Sequence, residues 1–114
     1  MITSIILKEK KRVEFMIEEY TKELNELPKG SITKKYLKNN YYYYLTYRNN
    51  SKVITKYLGK DNENIIKVKE QLLRRKQIEH ILKKLNEEKN KINKMEMILW
   101  LYIMGVMLLL KIQN

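Results

Sequence analysis

The sequence predicts an α+β fold: an N-terminal helix, a three-stranded antiparallel β-sheet and a long, coiled-coil-like C-terminal helix. Apolar residues recur every three or four positions in residues 8–27, as they do on one face of a helix. Residues 31–59 are rich in β-branched and aromatic residues and contain two Asn-Asn pairs. Helical periodicity returns in residues 62–96. With 114 residues, the chain (1–114) is predicted to form a single domain.

The first helix is predicted within residues 1–27. Its apolar stripe consists of Val13, Met16, Ile17, Tyr20, Leu24 and Leu27. Glutamates and lysines fill the other faces, and Pro28 and Gly30 end the helix. The opening residues place a short apolar patch before a charge cluster, which is the reverse of a secretory signal. The sequence therefore favours a cytoplasmic location.

Three strands follow, with two-residue turns predicted at Asn39-Asn40 and Asn49-Asn50 because asparagine tolerates positive φ. These turns place Leu45 opposite Lys34 and Ile54. The face with more aliphatic residues is predicted to pack on the core, with lysines at its edges: Ile32, Tyr36, Tyr41, Tyr43, Leu45, Tyr47, Ile54, Leu58, Lys34, Lys38, Lys52 and Lys56. The opposite face then carries Thr33, Lys35, Leu37, Tyr42, Tyr44, Thr46, Arg48, Val53, Thr55 and Tyr57.

Charge is distributed unevenly, and residues 28–60 form a basic module. This module has eight basic residues and no acidic residue, whereas residues 1–27 contain six glutamates. The whole chain has a formal net charge of +11. Such a module is suited to an anionic partner.

A long charged helix is predicted for residues 61–96, with Asp61 or Asn62 as its cap. Its imperfect apolar seam consists of Ile65, Val68, Leu72, Ile78, Leu82, Leu85, Ile92 and Leu99. A helix this polar needs a partner, which is the first helix, a second copy of the chain, or both. A homo-oligomer, most simply a homodimer, is therefore predicted.

The segment 97–114 is predicted to be an apolar helical tail. Residues 97–110 read MILWLYIMGVMLLL without a polar interruption. As a helix this run is about 21 Å long, short of a hydrocarbon core of about 30 Å. The length favours an oligomer interface, or a tail that folds back onto the first helix. A membrane anchor through residues 97–112 is the alternative.

The sequence predicts no enzyme, no catalytic residue, no metal site and no cofactor. Cysteine is absent and His80 is the single histidine. The three glycines are far apart, so no phosphate-binding loop is present, and no zinc or EF-hand spacing occurs.

The basic module has the chemistry for binding DNA or RNA. Lysine and arginine contact phosphates, and tyrosine stacks on unpaired bases. The predicted nucleic-acid-binding residues are Lys34, Lys35, Lys38, Tyr42, Tyr44, Arg48, Lys52, Lys56, Tyr57 and Lys60. The competing interpretation is that the rings fill the inner face of the sheet, where cross-strand aromatic pairs stabilise it.

The string LPKGSITKKYLKNNYYYYLTYRNNSKVITKYLGK, followed by NENIIKVKEQLLRRKQIEHILKKL, resembles a group of small uncharacterised bacterial and phage proteins. They share the LPKGSI opening, the YYYLxYR hairpin, the KYLGK close and a charged helix. Residues 41–60 are also similar to the short N-terminal β-unit of some insertion-sequence transposases, which have Gly-Gly where this chain has Asn49-Asn50. The second resemblance implies contact with DNA.

Three functions remain open from the sequence. The leading prediction is a non-enzymatic nucleic-acid-binding protein on a helical dimer scaffold. The second is an inhibitor from a phage or mobile element, an antitoxin or anti-CRISPR protein, whose basic surface covers a nuclease or another nucleic-acid-binding protein. The third is a tail-anchored membrane protein.

Overall fold

The architecture of the chain confirms the predicted α+β class. A computed structural model describes residues 2–60 and 63–113. Its elements are α1 (Ile2–Glu26), β1 (Ser31–Leu37), β2 (Asn40–Asn49), β3 (Lys52–Gly59) and α2 (Glu63–Gln113). The charged segment and the apolar tail belong to one continuous helix of 51 residues. The predicted cap at Asp61 or Asn62 lies outside the described residues.

The chain divides into two compact units. The helical unit combines residues up to Thr21 with residues from Ile81 onward, and the sheet unit is Lys22–His80. Each unit has its own apolar cluster. The single-domain assignment from the sequence stays a prediction.

In the helical unit, α1 packs antiparallel on α2. Its buried core consists of Ile6, Val13, Leu85 and Ile92, flanked by Met16, Ile17, Tyr20, Ile81 and Leu99. This core contains most of the predicted stripe of α1 and, from the predicted seam of α2, Leu85, Ile92 and Leu99; Ile81 takes part in place of the predicted Leu82. Ile6 was outside the predicted stripe because α1 begins earlier than its periodicity indicated.

Ion pairs set the register of the two helices in this unit. Lys10 Nζ lies 3.0 Å from Glu96 Oε2, and Arg12 Nη2 lies 3.7 Å from Glu88 Oε2. As the residue number increases along α1, the residue number of the partner on α2 decreases, so the two helices are antiparallel. Arg12 also hydrogen-bonds Glu9, and this bond lowers the pKa of Glu9 below its ordinary value.

The sheet is antiparallel in the order β1-β2-β3, but both turns differ by one residue from the prediction. The first loop is Lys38-Asn39, where both residues have positive φ, at 50° and 63°. The second is Asn50-Ser51, with Asn50 at φ 58°. Positive φ at both residues of the first loop fits a type I′ hairpin turn.

The predicted register is therefore wrong by two residues. Leu45 pairs with Ile32 and Lys56, and not with Lys34 and Ile54. Because side chains alternate with a period of two, this shift leaves the strand residues on their predicted faces, while Lys38, predicted on the packed face, lies in the first loop. An irregularity between Tyr43 and Tyr44 inserts one additional residue on β3.

The predicted packed face contacts α2. Its core consists of Tyr43, Leu45, Leu58 and Ile65, flanked by Ile32, Tyr47, Val68 and Leu72. Tyr36 and Tyr41 were expected in this core but are exposed. They lie near the first turn, beyond the part of the face that α2 covers, and their ring centroids are 4.8 Å apart.

The end of α1 is held to α2 within the sheet unit. Arg75 Nη1 donates hydrogen bonds of 3.1 Å to the carbonyl oxygens of Leu24 and Leu27. The Leu24 carbonyl also accepts the backbone N–H of Leu27 at 3.2 Å, so the guanidinium adds a second donor at the end of α1 and binds the carbonyl of the residue that follows the helix. Arg74 binds Glu23 through two nitrogens, and this hydrogen bonding lowers the pKa of Glu23.

We expect Gly30→Ala to lower the free energy of unfolding by about 2 kcal/mol or more. Gly30 has φ +113°, and a Cβ there would collide with the carbonyl oxygen of Thr46 and lie 2.8 Å from Tyr47 Cβ. Gly105→Ala is the control, since nothing lies within 4 Å of that added methyl. It should leave stability unchanged or raise it by up to about 1 kcal/mol. Urea denaturation followed by circular dichroism checks both, and equal effects would contradict the prediction.

Candidate nucleic-acid interface

Three tyrosines form a ring cluster on the sheet face opposite α2, which we call the open face. Tyr44 and Tyr57 are direct cross-strand partners, with ring centroids 5.3 Å apart. Tyr42 lies 6.4 Å from Tyr57. The rings are tilted by 41° and 53°, so they do not cover one another face to face. None of the described side chains on the open face is buried.

Cations surround this ring cluster. Lys35 Nζ lies 4.9 Å from the Tyr44 centroid, and Lys60 Nζ lies 5.7 Å from the Tyr42 centroid. Strand alternation places Arg48 on the same face, and its side chain is exposed. Each ammonium is within the range of a cation–π contact. Because residues 28–60 contain no acid, no carboxylate of this module neutralises them.

Of the remaining four predicted site residues, three lie on the other side of the sheet and one lies in the first turn. Lys34 Nζ is 3.9 Å from the Tyr41 centroid and 5.9 Å from that of Tyr43. Lys56 pairs with Leu45 and lines crevices on the packed side. Lys52 pairs with Asn49 next to the second turn, and Lys38 lies within the first turn. The ten predicted residues thus divide into six around the open face, three on the packed side and Lys38 in the first turn.

The basic surface on the packed side includes a residue that was not predicted. Lys69 of α2 places its Nζ 5.6 Å from the Tyr43 centroid, so Lys34 and Lys69 approach the same ring. In the sequence, Lys69 is one of many lysines on a charged helix, and no local signal connects it to β2.

No group of three or more His, Cys, Asp or Glu side chains in residues 2–60 and 63–113 could hold a metal ion. His80 is exposed on α2.

Fold and interface together define a small basic α+β protein that presents a tyrosine-rich sheet. Residues 6–67 match the family described as Domain of unknown function (DUF6788), and the chain belongs to this family. The match includes most of α1, the whole sheet and the start of α2. No curated protein and no solved structure matches the chain. The resemblance to insertion-sequence transposases stays a prediction.

Proposed function

We propose that the protein binds nucleic acid through the open face of its sheet. One observation carries the proposal: the rings of Tyr42, Tyr44 and Tyr57 lie together on the exposed face, with the ammonium groups of Lys35 and Lys60 over them. Aromatic side chains stack on unpaired bases of any sequence, and lysines follow the phosphate backbone.

The aromatic rings and the basic groups of the open face suit the bases and the phosphates of a single nucleic-acid strand. In the free protein, each ammonium lies near a ring face. A bound strand offers phosphates to Lys35, Lys60 and Arg48 and bases to the ring faces. Tilted rings favour flexible single strands over a rigid stack of base pairs, since each unpaired base adjusts to its own ring. We therefore expect single strands to bind more tightly than duplex.

Titration of a labelled pyrimidine 20-mer, monitored by fluorescence anisotropy over a range of salt concentrations, tests the proposal. Each phosphate contact contributes about 0.7 units to the log–log slope for a single strand. Lys35→Ala combined with Arg48→Ala should lower the slope by about one to two units. The matched double variant, Lys34→Ala with Lys52→Ala, removes the same charge from the packed side and should lower it less.

The ring variants give a separate result. Tyr44→Ala should weaken binding by about 1–3 kcal/mol at every salt concentration, whereas Tyr44→Phe retains the ring and should bind as the parent does. A folded Tyr44→Ala protein with unchanged affinity would show that the ring does not stack on bases. If the parent binds neither a single strand nor a duplex at about 50 mM salt, the proposal is wrong.

A further inference from the structure

The far end of the helical unit is apolar on every side. In α2, all residues from Trp100 to Ile112 are exposed, with Trp100 at 66% and Tyr102 at 71%. The alternative of a tail that folds back onto α1 is wrong, because Val13, Ile17 and Tyr20 pack instead on residues of α2 between Ile81 and Leu99. From Trp100 to Ile112, the described chain buries no side chain of α2.

The start of α1 contributes to the same end. Ile2, Ile5 and Leu7 are exposed at 65%, 67% and 50%. Thr3, Ile6 and Leu7 of α1 share a crevice with Leu99, Trp100 and Ile103 of α2. Two apolar helix ends thus lie side by side, although the sequence indicated only the longer one.

Lysines mark the boundary of this apolar end. The Lys10–Glu96 ion pair lies at the boundary between the charged part of the two helices and their apolar ends. Near this level, Lys8 and Lys11 on α1 and Lys91 and Lys94 on α2 are exposed. Basic residues beside an apolar helix end attract anionic headgroups.

The distribution of the apolar residues distinguishes lipid from a second protein chain. Consecutive residues on a helix differ by about 100°, so the unbroken apolar run covers all directions. A coiled-coil partner buries only a stripe of two positions in seven. Lipid covers every direction at once, as it does around other helices that are hydrophobic on all sides.

We propose that the paired apolar ends of α1 and α2 insert into a bilayer that contains anionic lipid. Residues 97–112 extend about 24 Å as a helix, which reaches most of the way across a core of about 30 Å. An 18-residue window of α2 has a mean hydropathy of 1.9, and none of it is buried. Trp100 and Tyr102 are aromatic residues of the kind found near membrane interfaces.

Trp100 is the single tryptophan of the chain and reports on insertion directly. The full chain is mixed with phosphatidylcholine vesicles, with or without phosphatidylglycerol, and the vesicles are floated. Brominated acyl chains then test whether Trp100 is in the hydrocarbon. We expect the protein to float, with Trp100 quenched and with tighter binding when phosphatidylglycerol is present.

Four variants locate the inserted surface. Ile103→Lys with Leu108→Lys should lower vesicle binding by about 100-fold or more, and Ile5→Lys by about tenfold. Asn93→Lys adds the same charge as Ile5→Lys, but outside the apolar end, and should not weaken binding. Replacing Lys8, Lys11, Lys91 and Lys94 by glutamine should remove the preference for phosphatidylglycerol and leave insertion into neutral vesicles unchanged.

Two outcomes would overturn the proposal. A parent chain that stays in the aqueous fraction as a defined oligomer, with Trp100 unquenched, would show that a second copy covers the apolar end. If Ile5→Lys binds vesicles as tightly as the parent, while Ile103→Lys with Leu108→Lys loses binding, then α1 does not insert.

Discussion

Tyr43→Ala is expected to lower the free energy of unfolding of the sheet unit by about 3–5 kcal/mol, because Tyr43 is 6% exposed in its core. Its neighbour Tyr44 points to the open face, where it loses mainly its cross-strand contact with Tyr57. Tyr44→Ala should therefore cost only about 0.5–1.5 kcal/mol. The two variants remove the same side chain from adjacent positions, so backbone and composition are matched.

Hydrogen exchange of the β2 amides measures this difference, since it reports the free energy of opening of the strand itself. The measurement does not depend on what surrounds the apolar end of the helical unit. A larger loss for Tyr44→Ala than for Tyr43→Ala would mean that the strand is shifted by one residue, with its faces exchanged.

Ile65→Ala is the second substitution with a large expected effect, a loss of about 2–5 kcal/mol from the sheet unit. Ile65 has no exposed surface and joins α2 to the core of the sheet. Ile66, the next residue, is 55% exposed, and Ile66→Ala should change stability by no more than about 0.5 kcal/mol. The same exchange measurement checks both variants. A smaller loss in the free energy of opening for Ile65→Ala than for Ile66→Ala would contradict the assignment of the packed helix face.

The tyrosine run illustrates how much of the sheet the sequence determines. The alternation of side chains alone assigns Tyr43 to one face and Tyr42 and Tyr44 to the other. This assignment stays correct when the predicted strand pairing is wrong by two residues. The loops are harder to place, because an Asn-Asn pair offers two adjacent residues that both tolerate positive φ. At the first turn the loop includes Lys38, which is not a typical turn residue.

Burial within the packed face depends on where α2 crosses it, which no local pattern specifies. Tyr36 and Tyr41 satisfy the alternation yet remain exposed, since α2 contacts the sheet through Ile65, Val68 and Leu72. The additional residue on β3 opposite Tyr43 and Tyr44 was likewise absent from the predicted pairing.

For the candidate interface, the sequence alone identifies residues 28–60 as a basic module. Which side of the sheet each cation lies on is seen only in the fold. Lys35 and Lys60 lie near rings on the open face, while Lys34 lies near rings on the packed side. Lys69 comes from a different element, so its approach to Tyr43 is a tertiary contact that the sequence does not indicate.

The order β1-β2-β3 leaves β1 and β3 as outer strands, each hydrogen-bonded on one side only. Unpaired strand edges are templates for aggregation between molecules. Here both borders bear lysines, Lys34 and Lys35 on β1 and Lys52 and Lys56 on β3, with no acidic residue on any strand. When two such sheets approach border to border, like charges repel, so the surplus of cations also keeps the molecules from joining into a continuous intermolecular sheet. High ionic strength screens this repulsion. The same lysines can therefore serve both partner attraction and colloidal stability.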